Sequence, residues 1–416
     1  MELKRVVVTG LGAITPIGNT VQEYWESLSK GVSGAAPIQK FDASKFKTRF
    51  ACEVKNFEVE KYLDKKEARK LDLFSQFALA VAQQAIEDSQ MDLTTIDLNR
   101  VGVIWGSGIG GLRSLQMEVT DFAKGDGTPR FNPFFIPKMI ADIAPGHISI
   151  KYGFKGPNFC TVSACASSNN ALIDAFTYIR LGKANIIISG GSEASVTEAG
   201  IGGFNALKAM SERNDDPATA SRPFDKDRDG FVLGEGAGCI ILEEYEHAKA
   251  RGAKIYAEII GGGMTADAYH MTAPHPEGDG AYRVMQEALR DAEITADKID
   301  YINVHGTSTP IGDPQEIHAI ERLFGEHAYK LNISATKSMT GHLLGAAGAI
   351  EAIAGILAIK YQIVPPTINH FTDDEVFDKR LNMTFNVAQA RKIDYVLSNG
   401  FGFGGHNAAV IFKKYE

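Results

Sequence analysis

The sequence predicts an α/β fold built from two duplicated halves, and three observations carry that expectation. The first is an internal repeat: AIEDSQMDLTTIDLNRVGVIWGSG (85–108) and ALRDAEITADKIDYINVHGTST (288–309) each read as a helix end, an Asp-containing turn, a strand and a Gly-centred turn. The second is that the order of elements continues in both copies. A small-residue turn opens a helix at VSACASSNNAL (162–172) and at SATKSMTGHLLGAAG (334–348). A strand with a Gly-rich turn then follows at IIISGGSEA (186–194) and YVLSNGFGFGGHNAAVIF (395–412). Two copies define two halves, not a solenoid. The third is that the segments IIIS (186–189) and GCIILE (238–243) are continuously apolar, as in strands of a sheet covered on both faces. The charged stretch LEEYEHAKARGAK (242–254) suits an exposed join, so the expected halves are 1–250 and 251–416.

Bulk composition is that of a globular protein. The 416 residues are 44% hydrophobic, with 42 Gly and 15 Pro. The net charge of −8 argues against a nucleic-acid binder, which needs a broad basic surface. Four cysteines (Cys52, Cys160, Cys165, Cys239) form no CxxC pair, so a zinc knuckle is not expected, and free thiols fit a reducing cytoplasm. The first strand, around VVVTGLGAITPIG, is broken by Gly10, Gly12 and Pro16 and reads as a buried strand, not a signal peptide. The longest apolar stretch, Leu343 to Ile359, is interrupted by Glu351, so no membrane span is expected. Residues 41–75 and 113–140 read as insertions in the first half. The Phe- and Pro-rich FNPFFIPKM of the second calls for a packing partner, either the core or another subunit.

Two motifs are set aside. GSGIGG (106–111) matches G-x-G-x-x-G, but no second strand ending in an acid follows at the required distance; it reads as a turn where backbones approach closely. DKDRDG (225–230) opens like a calcium loop but has Gly236 where the bidentate acid belongs. A turn held by Arg222 and Arg228 on aspartates is the expectation, with no metal.

The chemistry gathers elsewhere. Cys165 stands at the start of a helix whose apolar positions Leu172, Phe176 and Ile179 recur at helical spacing, where free N–H groups and the helix dipole favour a thiolate. A lone cysteine in this setting is as readily a buried structural residue as a nucleophile. His305 follows an apolar strand directly, and His342 lies in the Gly-rich turn of the second half, five residues after Lys337. One cysteine and two histidines in corresponding turns make a shared site the better reading. Metal binding by the two histidines lacks a close third ligand.

Five segments together carry a family resemblance: VSACASS around Cys165, RPFDKDRDGFVLGEGAG (222–238), HGTSTPIGD (305–313), KSMTGHLLGAAG (337–348) and SNGFGFGGHNA (398–408). With them, the whole chain resembles the β-ketoacyl-acyl-carrier-protein synthases, most of all the synthase II branch. The resemblance implies the thiolase-like five-layer α/β/α/β/α fold. It implies that Cys165 is acylated, with the N–H groups of Cys165 and Phe403 as oxyanion hole. His305 and His342 would stabilise the enolate formed as malonyl-carrier loses carbon dioxide, and Lys337 would orient His342. It implies an acyltransferase of fatty acid elongation, with a polyketide ketosynthase as the alternative.

The same likeness assigns Ile109 and Phe204 to the acyl pocket, and Thr272, Thr307 and Thr309 to the phosphopantetheine arm. Ala273 stands where many members have Ser, and His406 where many have Thr, so His406 is not counted as catalytic. The implied partners are acyl carrier protein and a second copy of the chain, with no cofactor beyond the arm of the carrier. The basic segment KYLDKKEARKLD (61–72) pairs Lys65 with Arg69 and Lys66 with Lys70 at helical spacing. It is either a solvated helix face or, with Lys208, a docking patch for an acidic carrier. A thiolase would place a second cysteine in 402–408, which reads GFGGHNA, and the initiating synthases pair His with Asn where this chain has His342.

Overall fold

The computed structural model describes residues 3–416. Its main sheet has ten strands: β1 (Val6–Ile14), β2 (Val101–Gly106), β3 (Asn158–Thr161), β4 (Ile186–Glu193), β5 (Gly236–Glu244), β6 (Ala257–Ala266), β7 (Tyr301–Asn303), β8 (Asn332–Ser334), β9 (Tyr395–Gly402) and β10 (His406–Lys413). The helices that build its covering layers are α1 (Leu73–Ser89), α2 (Ile143–Tyr152), α3 (Ser167–Arg180), α4 (Asp279–Asp291), α5 (Gly312–Phe324) and α6 (Ala347–Tyr361).

Strand order makes the duplication explicit. One half runs β1-β5-β4-β2-β3 and the other β6-β10-β9-β7-β8. Pairing is antiparallel between the first three strands of each order and parallel thereafter. The halves meet at β1 and β6 through a short antiparallel seam, Val6–Val8 against Ala257–Ile259.

Three buried clusters give five layers. Along β4, Ile186 and Ile188 point to a cluster filled by α1 and α2, while Ile187 points to a cluster shared with α3 and α6. Along β10, Ala409 and Ile411 meet α4 and α5, while Val410 and Phe412 turn inward to the same α3–α6 cluster. The strict alternation of apolar residues on both faces is what a sheet sandwiched between helices demands. The order is therefore α1/α2, sheet, α3/α6, sheet, α4/α5, as the thiolase-like expectation required.

Helix α6 is buried along Ala347–Ile359. The stretch Leu344–Tyr361 is long and apolar enough to cross a bilayer, but it lies in the middle layer between the two half-sheets. The insertion at 113–140 forms a helix, Leu112–Lys124, that buries none of its residues. Met117, Val119 and Phe122 on it, and Phe131, Phe134 and Ile136 after it, stay exposed, so the Phe-rich segment does not pack into the core.

Candidate active site

Cys165 sits in the tight turn Ala164–Ala166 that precedes α3. Ala164 holds a positive φ of 50°, unusual for a residue with a Cβ. The turn is locked by Ser167, whose Oγ accepts the Ser163 N–H at 3.0 Å and donates to the Ala164 carbonyl at 2.7 Å. The second half repeats this geometry. Leu344 has φ 48° in the turn Leu344–Ala346 ahead of α6, so Gly345 is the counterpart of Cys165, two residues before its helix.

A cavity of about 530 Å³ opens at this point, lined by Cys165, His305, His342 and Phe403. The imidazoles of His305 and His342 lie 5.3 Å apart, centre to centre, at 89°. The GFGG turn after β9 closes the other side. A Cβ on Gly402 would fall 2.5 Å from the Ser163 carbonyl and 3.1 Å from the Cys165 nitrogen, so only glycine lets the two turns approach. That approach turns the Phe403 N–H to the Cys165 sulfur.

Electrostatics depart from the sequence-based expectation at Cys165. Burial is the largest influence and pushes the thiol up to about 12, against the opposing pull of Lys337 and the Phe403 N–H. The resting group is a thiol, because the loss of water outweighs the helix start. Burial, reinforced by the Lys337 charge, holds His305 and His342 well below the usual histidine range, so both are neutral.

Lys337 does not line the cavity. Its ammonium donates to Glu351 Oε1 at 2.5 Å, with both side chains buried, and its charge reaches His342 through space. His342 Nδ1 is buried without a hydrogen-bond partner. Burial pushes the Glu351 carboxyl up to about 7 against the lowering effect of Lys337.

Ile109, Phe204, Thr272, Thr307 and Thr309 all line the same cavity. Phe204 packs edge-on to Phe231 at 5.3 Å and lies 6.5 Å from Phe403. The hydroxyls of Thr307 and Thr309 are 3.1 Å apart. Lys208 is exposed at the cavity rim. Lys65, Lys66 and Arg69 are exposed away from it, on a single helical turn, Lys65–Ala68, too short to present the i,i+4 face expected, and Lys70 pairs with Glu67 at 2.6 Å. In the 222–230 segment, Arg222 lies 3.9 Å from Asp225, and Arg228 reaches Asp374 at 2.7 Å.

Sequence reading missed three supports. Glu316 accepts the N–H groups of His305 and Gly306, each at 2.9 Å, and so fixes the histidine turn. Its signal was an acid on the apolar face of a helix, beside Ile317 and Ile320. Phe401 donates its N–H to His305 Nδ1 at 3.3 Å. Glu193, fully buried at the end of β4, accepts N–H groups of the GSGIGG turn, which is thus a packed turn with no phosphate role.

A cysteine and two neutral histidines drawn from both halves of a duplicated five-layer core define a thiolase-like ketosynthase. The N-terminal domain of β-ketoacyl synthases matches residues 3–248 and the C-terminal domain matches residues 256–371. A 3-oxoacyl-[acyl-carrier-protein] synthase 2 of Synechocystis sp. is 51% identical over 416 residues, covering 100% of this chain and 99% of that relative. One of Coxiella burnetii is 51% identical over 414 residues, with the same coverage. Among solved structures, a β-ketoacyl synthase from Burkholderia phymatum is 36% identical with a TM-score of 0.92, over 99% of this chain and 100% of that one. A structure of a type II PKS acyl-carrier protein in complex with its ketosynthase bound to the hexaketide matches at 34% identity and TM-score 0.90, over 100% of both chains. The chain belongs to the β-ketoacyl synthase family.

Proposed function

We propose that this enzyme elongates fatty acyl chains by decarboxylative Claisen condensation of an acyl thioester with malonyl-carrier protein, giving a 3-oxoacyl-carrier product. The observation that carries this reading is the convergence of Cys165, His305 and His342 on one cavity whose two histidines are neutral. Relatives named for this activity are 51% identical over the full chain, whereas the polyketide ketosynthase match is 34% identical, which favours fatty acid elongation over the polyketide alternative.

In the first half-reaction the Cys165 sulfur attacks the acyl carbonyl. Its proton passes to a neutral imidazole in the cavity, and the carbonyl becomes an oxyanion facing the N–H groups of Cys165 and Phe403. As that oxyanion collapses, the C–S bond to the carrier breaks and the imidazolium returns the proton to the departing sulfur, so the carrier leaves as its thiol and the histidine is neutral again. Malonyl-carrier then binds with its thioester carbonyl between His305 and His342. The bond to the carboxylate breaks, carbon dioxide departs, and the electron pair forms an enolate held by hydrogen bonds from the imidazoles. Neutral donors suit this step, since an imidazolium would protonate the carbanion. The carbanion attacks the acyl-Cys165 carbonyl, the C–S bond breaks, and the product leaves on the carrier.

Thr272, Thr307 and Thr309 offer hydroxyls along the route of the phosphopantetheine arm. Lys208 at the rim, with Lys65, Lys66 and Arg69, suits an acidic carrier surface. The exposed apolar face at 112–140 and the free edge of β3 suit pairing with a second copy of this chain. The test is Cys165→Ala: condensation is lost while malonyl-carrier decarboxylation persists, because both histidines remain. Full condensation by that variant would refute the scheme.

A further inference from the structure

Glu193 is the last residue of β4 and is fully buried, yet it takes no part in the condensation just described. Its carboxylate accepts four backbone N–H groups: Gly108 at 2.8 Å, Gly345 at 3.1 Å, and Ile109 and Gly110 at 3.3 Å. The Ser107 hydroxyl lies 3.5 Å from it and accepts the Gly110 N–H at 3.2 Å. It forms no ion pair among the described residues, so backbone N–H groups and the Ser107 hydroxyl answer its charge.

The donors come from two separate turns. Residues 108–110 follow β2 in the first half, and Gly345 occupies the Cys165-equivalent position of the second. The fit is close: a Cβ on Gly345 would fall 2.2 Å from the Gly108 nitrogen and 2.8 Å from Glu193 Oε2. Each turn carries a cavity-wall side chain beside Cys165, namely Ile109 on one and Leu344 on the other. An acyl chain on Cys165 therefore extends past two walls whose backbones are tied to one carboxylate.

We propose that Glu193 is a positioning residue that fixes the Ile109 and Leu344 walls relative to one another and thereby sets acyl-chain-length selectivity. This rests on the condensing role assigned to Cys165. A firmly tied Ile109 turn resists displacement by a long chain, and a loosened one yields. Burial pushes the carboxyl up to about 7 against the lowering effect of the four N–H donors, in keeping with a group spared any cationic partner.

The test compares the purified full-length enzyme with Glu193→Gln, which keeps side-chain size but turns an N–H₂ toward N–H donors. Acylation of Cys165 is followed with hexanoyl- and hexadecanoyl-carrier protein, alongside malonyl-carrier decarboxylation. The hexadecanoyl-to-hexanoyl rate ratio is expected to rise about tenfold, the scale on which apolar pockets discriminate chain size. Decarboxylation is expected to hold within about twofold. Ser107→Ala, a milder lesion in the same latch, shifts the ratio the same way by less, and stands in should Glu193→Gln not fold. An unchanged ratio in both variants overturns the assignment, as does an equal loss with both donors. Failure of the wild-type enzyme to acylate Cys165 at all would instead strike the condensing role itself.

Discussion

His305 accepts the Phe401 backbone N–H at Nδ1, 3.3 Å away, and that single contact settles the tautomer of a neutral imidazole. With Nδ1 an acceptor, the proton resides on Nε2, leaving that nitrogen as a donor. The relationship is reinforced from behind, where Glu316 grips the N–H groups of His305 and Gly306.

A donor at Nε2 is what enolate stabilisation needs. His305→Asn, which retains an N–H donor, is therefore expected to decarboxylate malonyl-carrier faster than His305→Ala. Both should acylate Cys165 more nearly like wild type than they decarboxylate. Removing one oxyanion donor typically costs about 10²–10³-fold, so His305→Ala should lose decarboxylation on that scale. Equal decarboxylation by the two variants would remove the donor role.

The Lys337–Glu351 pair is buried on both sides, and breaking such a pair costs about 3–5 kcal/mol through the charge left behind. Lys337→Met alone and Glu351→Gln alone should each lower the urea midpoint. The double variant should regain much of that loss, because no orphaned charge remains. Additive losses in the cycle would show that the two groups do not act as a pair.

Acid sensitivity has a definite sign at His342. Its folded pKa lies well below the ordinary histidine value, mainly through burial and then through the Lys337 charge. Below about pH 6.5 the unfolded chain takes up a proton that the native state refuses, so native stability falls as pH falls, by up to about 1.4 kcal/mol per pH unit. His342→Asn removes this contribution. The stability of wild type minus that of the variant should therefore drop by about 2 kcal/mol between pH 7 and pH 5, read from urea unfolding at each pH. A difference independent of pH would mean that His342 takes up its proton as readily in the native enzyme as in the unfolded chain.

The layered fold was legible because its signals are local and repeated: apolar strands such as 186–189, and two small-residue turns heading α3 and α6. The cavity-lining residues were legible through the motifs around Cys165, His305, His342 and Phe403. What sequence hid was which side chains meet once the chain is folded. Nothing near Lys337 announces that it is spent on Glu351, fourteen residues on. The upward push on the Cys165 thiol was hidden for a related reason, since helix position is visible in a sequence and depth of burial is not. The basic helix at 65–70 shrank to one turn because Asp64 caps it at the start and the chain turns away after Ala68.

The nucleophile can be identified most directly by intact-mass and peptide-level detection of the acyl adduct after mixing enzyme with acyl-carrier protein alone. One acyl group per chain is expected, on the peptide that holds Cys165. It should persist in His305→Ala, be absent in Cys165→Ala, and be discharged when malonyl-carrier is added to wild type. An adduct on Cys160 or on another residue, or condensation at the wild-type rate with no acyl-enzyme and no dependence on Cys165, would contradict it.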